Sequence, residues 1–269
     1  MSVSAGKFDA AMEAWRRWQD SPGGRLRYTL AEANLARHTG SPPRAGGRPL
    51  RVLDLAGADG GDAIRLALRG HHVTIADFTP AMLARARERA AAAGVAALVD
   101  TVEADVLRLP GEQTRPVHDL VVCHNLLQYR EDVEAVLRAA LAPLRPGGLL
   151  SVMAFNRHSG PFNLAVRELD PAAALAALDV RRDRTRTFDT ELVLHTAEEV
   201  VPVLEALGCT DVHHYGIRSF CDVIADDERK RDPAFYAELE RLELAVTGRP
   251  PYPHLARIFQ LVTRKPPAA

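Results

Sequence analysis

Between residues 50 and 155, short apolar runs alternate with longer segments in which apolar side chains recur at helical spacing. The short runs predict five strands, at 50–55, 72–76, 98–103, 120–124 and 149–155. The intervening segments predict helices at 64–68, 80–93 and 133–144. Alternation of this kind is typical of βαβ units, in which helices cover both faces of a parallel sheet. The pattern therefore predicts an α/β core.

Other segments flank this core on both sides. Residues 1–40 contain two stretches at helical spacing, separated by a Ser-Pro-Gly-Gly break, and predict a helical pair. Residues 156–196 are polar and rich in arginine, and we interpret them as a cap. The remaining pattern predicts a helix at 198–207, a strand at 211–218, a charged helical arm at 222–254 and a last strand at 255–263. We expect 1–269 to form a single domain, whose core consists of a half at 50–155 and a half at 198–264.

Composition excludes several classes of protein. Lys and Arg number 34 against 35 Asp and Glu, and this net charge of -1 argues against a protein that coats a polyanion. The three cysteines, Cys123, Cys209 and Cys221, lack CxxC spacing, which excludes a disulfide framework and provides no zinc signature. No apolar stretch has the length of a signal-peptide core or a membrane span. We expect a soluble, cytoplasmic protein without a metal or a membrane partner, whose oligomeric state stays open.

Three strand ends carry residues suited to a nucleoside. A turn of small residues, Asp54 to Gly61, follows the first strand, where it lets the backbone bend sharply and approach a ligand. The second strand ends at Asp77, whose carboxylate can accept hydrogen bonds from both hydroxyls of a ribose. Asp105 follows the third strand, where it can meet the exocyclic amine of an adenine. Because ligands bind outside the carboxyl ends of parallel strands, these residues together indicate a nucleoside site.

Two further motifs narrow the class. The fourth strand ends in Cys123-His124-Asn125, and Leu144-Arg145-Pro146-Gly147-Gly148 leads into the fifth. With the three strand ends above, and in this order, they resemble the class I S-adenosylmethionine-dependent methyltransferases. A nicotinamide dehydrogenase is the competing nucleotide-binding fold, but its G-x-G-x-x-G fingerprint is missing. The resemblance implies a Rossmann-like, seven-stranded, mostly parallel sheet with an antiparallel last strand, plus helical N-terminal and cap insertions.

The resemblance becomes more specific over the rest of the chain. Short motifs there are similar to those of the SmtA-like group, the bacterial tRNA 5-carboxymethoxyuridine methyltransferases. They are Phe8-Asp9, Gly24-Arg25-Leu26-Arg27, Phe155-Asn156-Arg157-His158, 216–222, Arg231-Asp232, Leu239-Glu240, Pro251-Tyr252 and 263–266. Enzymes of that group esterify the carboxylate of a wobble uridine. The resemblance implies S-adenosyl-L-methionine as cofactor and S-adenosyl-L-homocysteine as product.

The same resemblance assigns cofactor-binding roles within 50–155 and on the second helix. Arg27 would form a salt bridge with the methionine carboxylate, and Asp77 would hold the ribose. His124 would lie beside the methionyl portion, and Glu103 with Ala104 would flank the adenine. The full set of predicted cofactor residues is Arg27, Asp54, Ala56, Gly57, Asp77, Phe78, Glu103, Ala104, Asp105 and His124.

Two departures from the group's pattern stand out. The group's D-x-G-x-G-x-G turn is here Asp54, Ala56, Ala58 and Gly60, so that two glycines are alanines. In the cap, the group's lysine-rich run is replaced by 181–186, which contains four arginines, Asp183 and a threonine.

Methyl transfer from a sulfonium places few demands on catalytic side chains. The protein must hold the acceptor in line with the S-methyl bond and exclude water. A carboxylate acceptor is ionised at neutral pH and needs no base, whereas a hydroxyl acceptor does. We predict His124 and His158 as the base candidates. Substrate candidates are Tyr129, Asn156, Arg218, Tyr252 and Arg257, although core packing and pairing with acids of the arm are the alternative roles for the aromatic and arginine side chains.

The acceptor is not decided by the sequence. We predict O- or N-methylation of a small metabolite, with an acidic metabolite among the candidates, because the net charge of the chain is near neutral and Asp183 dilutes the cap arginines. Carboxyl methylation of 5-carboxymethoxyuridine in tRNA is the alternative that the resemblance favours. A protein that binds the cofactor without transferring methyl is a third, for which Ala58 is the motive.

Overall fold

A computed structural model describes residues 5–40, 46–184 and 190–267, with the backbone alone for 5–12. It begins with the predicted helical pair, α1 (Ala5–Asp20) and α2 (Pro22–Thr39). Ser21 caps α2, because its hydroxyl oxygen accepts a hydrogen bond from the Gly24 N–H at 3.1 Å, and Pro22 occupies the first helical position. The Ser-Pro-Gly-Gly break between the two helices therefore forms the capped N-terminus of α2.

The remaining elements follow the predicted alternation. The strands are β1 (Arg51–Leu55), β2 (His72–Asp77), β3 (Val99–Glu103), β4 (His118–His124), β5 (Leu144–Phe155), β6 (Arg182–Arg184), β7 (Glu191–Val193), β8 (Thr210–Ile217) and β9 (Ile258–Arg264). The helices are α3 (Gly61–Leu68), α4 (Pro80–Ala92), α5 (Val133–Leu141), α6 (Ser159–Val166), α7 (Pro171–Ala176), α8 (Ala197–Ala206), α9 (Pro233–Val246) and α10 (Tyr252–Leu255).

Seven strands form one sheet in the order β3-β2-β1-β4-β5-β9-β8. β9 runs antiparallel to both of its neighbours, β5 and β8, while the other pairs are parallel. This confirms the predicted seven-stranded, mostly parallel sheet with an antiparallel last strand.

Alternate side chains of the strands supply two apolar clusters, one for each face of the sheet. In β1, Leu53 and Leu55 belong to the cluster under α5 and α8, while Val52 belongs to the cluster under α3 and α4. Burying each such side chain stabilises the fold by about 1.5–3 kcal/mol. β4, in the middle of the sheet, is buried along its whole length.

Several boundaries differ from the prediction, and three of the differences have a structural reason. The last strand begins at Ile258 and not at 255, because 252–255 form the short helix α10. The helix predicted to reach 144 ends at Leu141, where the Lys265 ammonium donates to the Leu141 carbonyl. The Pro-Gly-Gly turn belongs to the extended segment β5, which pairs irregularly with the start of β4.

The cap has more structure than its polar composition indicated. It contains α6, α7 and a hairpin of β6 and β7. Residues 185–189 lie outside the described residues, and with them Thr185 and Arg186 of the arginine run. The arm at 222–254 is helical, as predicted, and α9 begins where the Asp232 carboxylate accepts from the Phe235 N–H. The division of the chain into these parts stays a prediction.

The sheet brings the ends of its parallel strands to one edge. Phe155 at the end of β5 pairs with Ile258 of β9, and Ile258 pairs with Ile217 at the end of β8. The segments that follow β5 and β8 therefore emerge side by side. Within the described residues, no helix combines the length and the apolar character needed to cross a membrane.

Candidate active site

The turn after β1 contains three residues with positive φ. Ala56, Ala58 and Gly60 have φ of 55°, 48° and 78°, in the left-handed region that glycine adopts most easily. The Ala56 N–H donates to the Ala76 carbonyl at 2.7 Å, and the Ala58 N–H donates to Asp77 Oδ2 at 3.1 Å. These two bonds hold the alanines in the left-handed conformation that glycine would adopt without strain.

The predicted nucleoside residues meet at the ends of β2 and β3. Asp77 is buried, and its Oδ1 accepts from the Thr79 N–H at 2.8 Å while Oδ2 accepts from Ala58. A carboxylate has about four lone-pair positions, so acceptor capacity remains for hydroxyl groups. The Ala104 N–H donates to the Asp77 carbonyl at 3.0 Å, which brings the two strand ends together.

Around Asp77 lie the side chains predicted to flank an adenine. The Phe78 ring is 69% exposed, an unusual state for a large apolar side chain beside a sheet. Glu103 is exposed at the end of β3. Asp105 accepts from the Leu107 N–H at 3.0 Å and lies 3.5 Å from Arg130. The exposed ring can stack on a planar ligand, and the carboxylates of Glu103 and Asp105 retain lone pairs that can accept hydrogen bonds from an amine.

Arg27, Asp62 and His124 form a buried network next to the turn. Arg27 Nη1 lies 2.5 Å from Asp62 Oδ1, and His124 Nδ1 lies 2.9 Å from Asp62 Oδ2. Burial would raise the pKa of Asp62, but Arg27 and His124 outweigh it and hold that pKa well below its usual range. Burial lowers the pKa of His124.

Both ring nitrogens of His124 are engaged, because its Nε2 lies 2.8 Å from Ser151 Oγ. A histidine held at both nitrogens has no lone pair left to take a proton from an acceptor in this arrangement. Its predicted role as a base stays a prediction, and its contacts are those of a group that orients Asp62.

Asp54 lies beneath the turn with a buried oxygen, Oδ2, that has no hydrogen-bond partner among the described residues. A Cβ at Gly57 would stand 2.6 Å from that oxygen, so only glycine leaves room between carboxylate and turn. Burial, followed by the charge of Asp62, raises the pKa of Asp54 well above its usual range. A ligand bearing positive charge or a donor group would satisfy this carboxylate.

Three predicted substrate residues lie in one row just beyond the sheet edge. The Asn156 N–H donates to the Arg257 carbonyl, and the Arg257 N–H donates to the Arg218 carbonyl, both at 3.1 Å. Beside them is a small cleft that is open to solvent. Its lining is Ser159, Phe162, Asn163, Arg218, Ser219, Asp222, Val223, Leu255 and Arg257.

Arg218 is the most constrained side chain of the cleft. Its guanidinium is buried, and Nε lies 3.0 Å from Asp222 Oδ2. The guanidinium also faces the Trp18 ring at 5.9 Å, and Nη1 would lie 2.9 Å from a Cβ at Gly23. α1 and the start of α2 therefore form one wall of the arginine's site. Arg257 stacks its guanidinium on the Phe155 ring at 5.0 Å.

The other candidates, and the Asn156 side chain, are not part of the cleft lining. The Asn156 amide is used within the chain, since Nδ2 donates to the His254 and Ala256 carbonyls at 2.8 and 3.0 Å. His158 is half exposed, with Nε2 3.8 Å from Glu198. Tyr252 lies against the Phe220 ring at 5.5 Å, and Tyr129 is 42% exposed after β4. Their roles stay predictions.

Sequence reasoning missed Asp62 and Ser151. An acid in the first turn of a helix that follows a glycine-rich turn is a recognisable signal, and Asp62 carried it. Ser151 carried none, because a serine inside a strand has many possible roles. Within 5–40, 46–184 and 190–267, no three His, Cys, Asp or Glu side chains are arranged to hold a metal ion, and independence of metals stays a prediction.

Comparison with known proteins identifies the class of protein to which this chain belongs. Residues 52–148 match the family model described as a methyltransferase domain. The structure superimposes on an S-adenosylmethionine-dependent methyltransferase from Thermotoga maritima with a TM-score of 0.59 at 13% identity, covering 97% of this chain and 98% of the other. Geranyl diphosphate C-methyltransferase from Streptomyces coelicolor A3(2), in complex with S-adenosyl-L-homocysteine, gives 0.55 at 12%, covering 87% and 75%.

The chain belongs to the S-adenosylmethionine-dependent methyltransferases. Its similarity to one member extends over nearly the whole length, because it is 30% identical over 259 residues to the tRNA 5-carboxymethoxyuridine methyltransferase of Escherichia coli (strain K12), covering 96% of this chain and 95% of that protein. It is also 27% identical over 224 residues to a ubiquinone biosynthesis O-methyltransferase of Pseudomonas aeruginosa (strain UCBPP-PA14), covering 81% and 91%. The predicted fold class, enzyme class and cofactor are confirmed.

The described residues of the edge fit S-adenosylmethionine. Its sulfonium and ammonium groups carry positive charge, which would be favourable near the unpartnered oxygen of Asp54. Its ribose hydroxyls can donate hydrogen bonds to the lone pairs that remain on Asp77. Ala58 adopts the left-handed conformation with its N–H bonded to Asp77, so the alanine does not disrupt the turn, which was the motive for a protein that binds the cofactor without transferring methyl.

Proposed function

We propose that this methyltransferase acts on a small acidic acceptor, whose carboxylate is bound in the cleft by Arg218 and Arg257. The observation that carries the proposal is that these two arginines, whose backbones are hydrogen-bonded to each other, both line the cleft at the sheet edge that also holds Asp54, Asp77 and His124. A guanidinium donates two parallel hydrogen bonds to a carboxylate, which fixes both its position and its orientation.

The lack of an available base in the cleft supports an acceptor that is already a nucleophile. Among the described lining residues, Asp222 is the acid, and its carboxylate lies against Arg218. His124 is engaged at both nitrogens. An ionised carboxylate needs no base, whereas a hydroxyl does. His158, next to the lining residue Ser159, is the base candidate that a hydroxyl or amine acceptor would require.

Bound cofactor supplies an activated methyl group, and the chain's part is to position what receives it. We assign Arg27 to the methionine carboxylate and Asp77 to the ribose. We assign Asp54 to the positively charged sulfonium and ammonium groups. Phe78, Glu103, Ala104 and Asp105 surround the adenine in this assignment. Ala56 and Gly57 supply the closely approaching backbone. Methyl transfer would require the nucleophilic atom of the acceptor to lie about 3–3.5 Å from the methyl group, in line with the bond that breaks.

Charge in the cap favours a small acceptor over a polyanion. Arg182 pairs with both Glu131 and Glu191, and Arg181 pairs with Glu199 at 2.9 Å. Arginines neutralised in this way contribute little to binding a phosphate backbone. The tRNA alternative is favoured by the 30% identity over nearly the whole chain, and the carboxylate of 5-carboxymethoxyuridine would use the same two arginines.

The compartment that we propose is the cytoplasm. All three cysteines are unpaired and buried, which is the state expected where thiols are kept reduced.

The acceptor class is tested with radiolabelled S-adenosylmethionine, offered with bulk tRNA and separately with the small molecules of a cell extract. We expect label in the small-molecule fraction, released by mild base as an ester is, and we expect its loss in the Arg218→Gln variant. The matched control is Arg241→Gln, in which an exposed arginine of α9 is changed.

Two results would contradict the proposal in different ways. Label in tRNA with activity that falls by about 0.7 log units per log unit of salt for each phosphate contacted would establish the tRNA acceptor. Label in a small molecule, unaffected by Arg218→Gln, would show that the cleft does not bind the acceptor.

A further inference from the structure

The buried carboxylate of Glu243 in α9 has no role in the chemistry described above. The side chain has no exposed surface. Its Oε2 accepts from the Ser219 N–H at 2.8 Å, and its Oε1 accepts from the Phe220 and Cys221 N–H groups at 2.9 and 2.8 Å. Three consecutive backbone donors of the loop after β8 therefore converge on one carboxylate, and that loop begins at Arg218.

Such a contact is strong enough to determine the shape of a loop. Hydrogen bonds from N–H groups to a carboxylate are about twice as strong as those between neutral groups. Burial raises the pKa of Glu243, and the N–H groups of 219–221 oppose that shift. Each donor thus contributes to keeping the carboxylate in the interior, and the carboxylate in turn fixes each peptide unit.

Arg218 needs this support, because its backbone has φ of 65°. A residue with a side chain rarely adopts this left-handed conformation, which is strained and persists when neighbouring contacts impose it. The bonds from Glu243 begin at the very next residue. The far side of the loop is fixed by Lys230, whose Nζ donates to the Cys221 and Ile224 carbonyls at 3.1 and 2.9 Å.

We propose that Glu243 is a positioning residue of the acceptor site, which holds the 218–221 loop so that the Arg218 guanidinium lies in the cleft against Trp18. The inference rests on the acceptor site proposed above, but its first measurement requires no acceptor. Glu243 does not touch the ligand and acts through the backbone that carries Arg218.

The placement of Arg218 can be followed by tryptophan fluorescence. The chain has two tryptophans, Trp15 and Trp18, which stack in α1 with their ring centroids 4.9 Å apart. Because Arg218 faces Trp18, the emission spectrum reports whether the guanidinium is in place. Arg218→Gln supplies the spectrum of a chain that lacks this contact.

Glu243→Gln replaces one acceptor oxygen by an amide donor, so at least one of the three hydrogen bonds is lost. We expect the emission of the folded variant to shift in the same direction as that of Arg218→Gln. Glu238→Gln makes the same chemical change on an exposed position of α9, and its emission should remain that of the wild type. A folded Glu243→Gln chain with wild-type emission overturns the inference. If Glu243→Gln does not fold, Glu243→Asp, which retains the charge with a shorter reach, is judged by the same two outcomes.

A second measurement separates this inference from the proposed function. Phenoxyacetate, a small carboxylate, and phenoxyacetamide, its neutral counterpart, are titrated into the protein saturated with S-adenosyl-L-homocysteine. We expect the wild type to prefer the carboxylate, and we expect Glu243→Gln to weaken phenoxyacetate binding about tenfold, as for a displaced charge-assisted hydrogen bond, with phenoxyacetamide and S-adenosyl-L-homocysteine unaffected.

Each outcome has one meaning. Unchanged phenoxyacetate affinity in Glu243→Gln, despite shifted emission, overturns the positioning role in the acceptor site. Absence of any preference for the carboxylate in the wild type overturns the proposed acceptor site, and the emission shift alone then decides whether Glu243 places Arg218.

Discussion

Backbone conformation at single residues explains how the cofactor turn tolerates two alanines. Ala56 and Ala58 both have positive φ, and both N–H groups are held by residues of β2. The strain of about 1–2 kcal/mol at each is small beside the burial of the strands on either side. The substitution of glycine by alanine therefore affects stability more than it affects the shape of the turn.

Replacing Ala58 tests this account directly. Ala58→Gly relieves about 1–2 kcal/mol of strain and loses about 0.4–1 kcal/mol through the more flexible unfolded chain, so we expect a chain between unchanged and about 1.6 kcal/mol more stable. Ala84→Gly, at an exposed position of α4 with helical φ, should instead lose about 0.5–1 kcal/mol. Urea denaturation measures both, and a loss of stability in Ala58→Gly equal to that of Ala84→Gly would contradict the account.

Arg27 and Asp77 are predicted to bind opposite ends of the cofactor. Arg27→Gln should weaken S-adenosylmethionine binding by about 1.5–3 kcal/mol, because one charge-assisted contact is lost, and should leave 5′-methylthioadenosine, which lacks the amino-acid end, unaffected. Asp77→Asn should weaken both ligands by a similar amount, since both contain the ribose. Calorimetry on the two ligands decides the assignment, and equal losses of both ligands in Arg27→Gln would remove it.

At the scale of elements, a half-buried lysine holds the junction between a helix and a strand. The sequence has 34 Lys and Arg but only three lysines, Lys7, Lys230 and Lys265. The Lys265 ammonium donates to the Leu141 and Leu144 carbonyls at 2.8 and 2.7 Å, where α5 ends and β5 begins. A compact ammonium can rotate its three donors toward converging carbonyls, whereas a guanidinium holds its donors in a rigid planar fork.

We expect Lys265→Arg to reduce the free energy of unfolding by about 1–2 kcal/mol, because at least one buried carbonyl at the α5–β5 junction loses its donor. Arg264→Lys, at the neighbouring and more exposed position, is the matched control and should change stability by less than about 0.5 kcal/mol. Denaturant unfolding of the two variants provides the measurement. Equal stability of Lys265→Arg and the wild type would show that the junction does not depend on ammonium geometry.

At the scale of the whole molecule, several histidines are placed where a charge would be costly. Burial, followed by the charge of His254, lowers the pKa of His214 in β8 to about 4. Burial likewise lowers the pKa of His71 and His118. The unfolded chain takes up protons at these histidines near pH 6.5, before the folded chain does, so acid favours unfolding.

The contribution of His214 can be measured from the pH dependence of stability. Its folded pKa lies below its unfolded value, so the stability it contributes is complete above about pH 6.5 and is lost as the pH falls toward 4, at up to about 1.4 kcal/mol per pH unit. In His214→Gln, the free energy of unfolding should therefore fall less steeply between pH 6.5 and 4. His72→Gln, at the exposed start of β2, is the matched control. Parallel slopes in His214→Gln and the wild type would exclude this origin of acid sensitivity.

The alternation of strands and helices and the cofactor edge were both accessible from the sequence. Hydrophobic periodicity is a local property, and each βαβ unit buries its apolar face in the same way. Because parallel strands end at one edge, Asp54, Asp77 and Asp105 could be expected to lie together without knowledge of their contacts. Boundaries were less accurate where a tertiary contact ends an element, as Lys265 does at Leu141.

What only the tertiary structure decided is the chemistry of contacts between distant segments. Nothing local to His124 indicates that Asp62 and Ser151 occupy both of its nitrogens, and nothing local to Arg218 indicates that Trp18 and Glu243 surround its loop. Those partners come from α1, α3, β5 and α9. The sequence by itself determined that this chain is a methyltransferase, and it predicted a nucleoside site at one sheet edge, because suitable residues follow β1, β2 and β3. The proposed acceptor cleft depends on packing among α1, α2, α9 and the sheet, because a buried charge takes its position from the donors and rings that the whole fold brings to it.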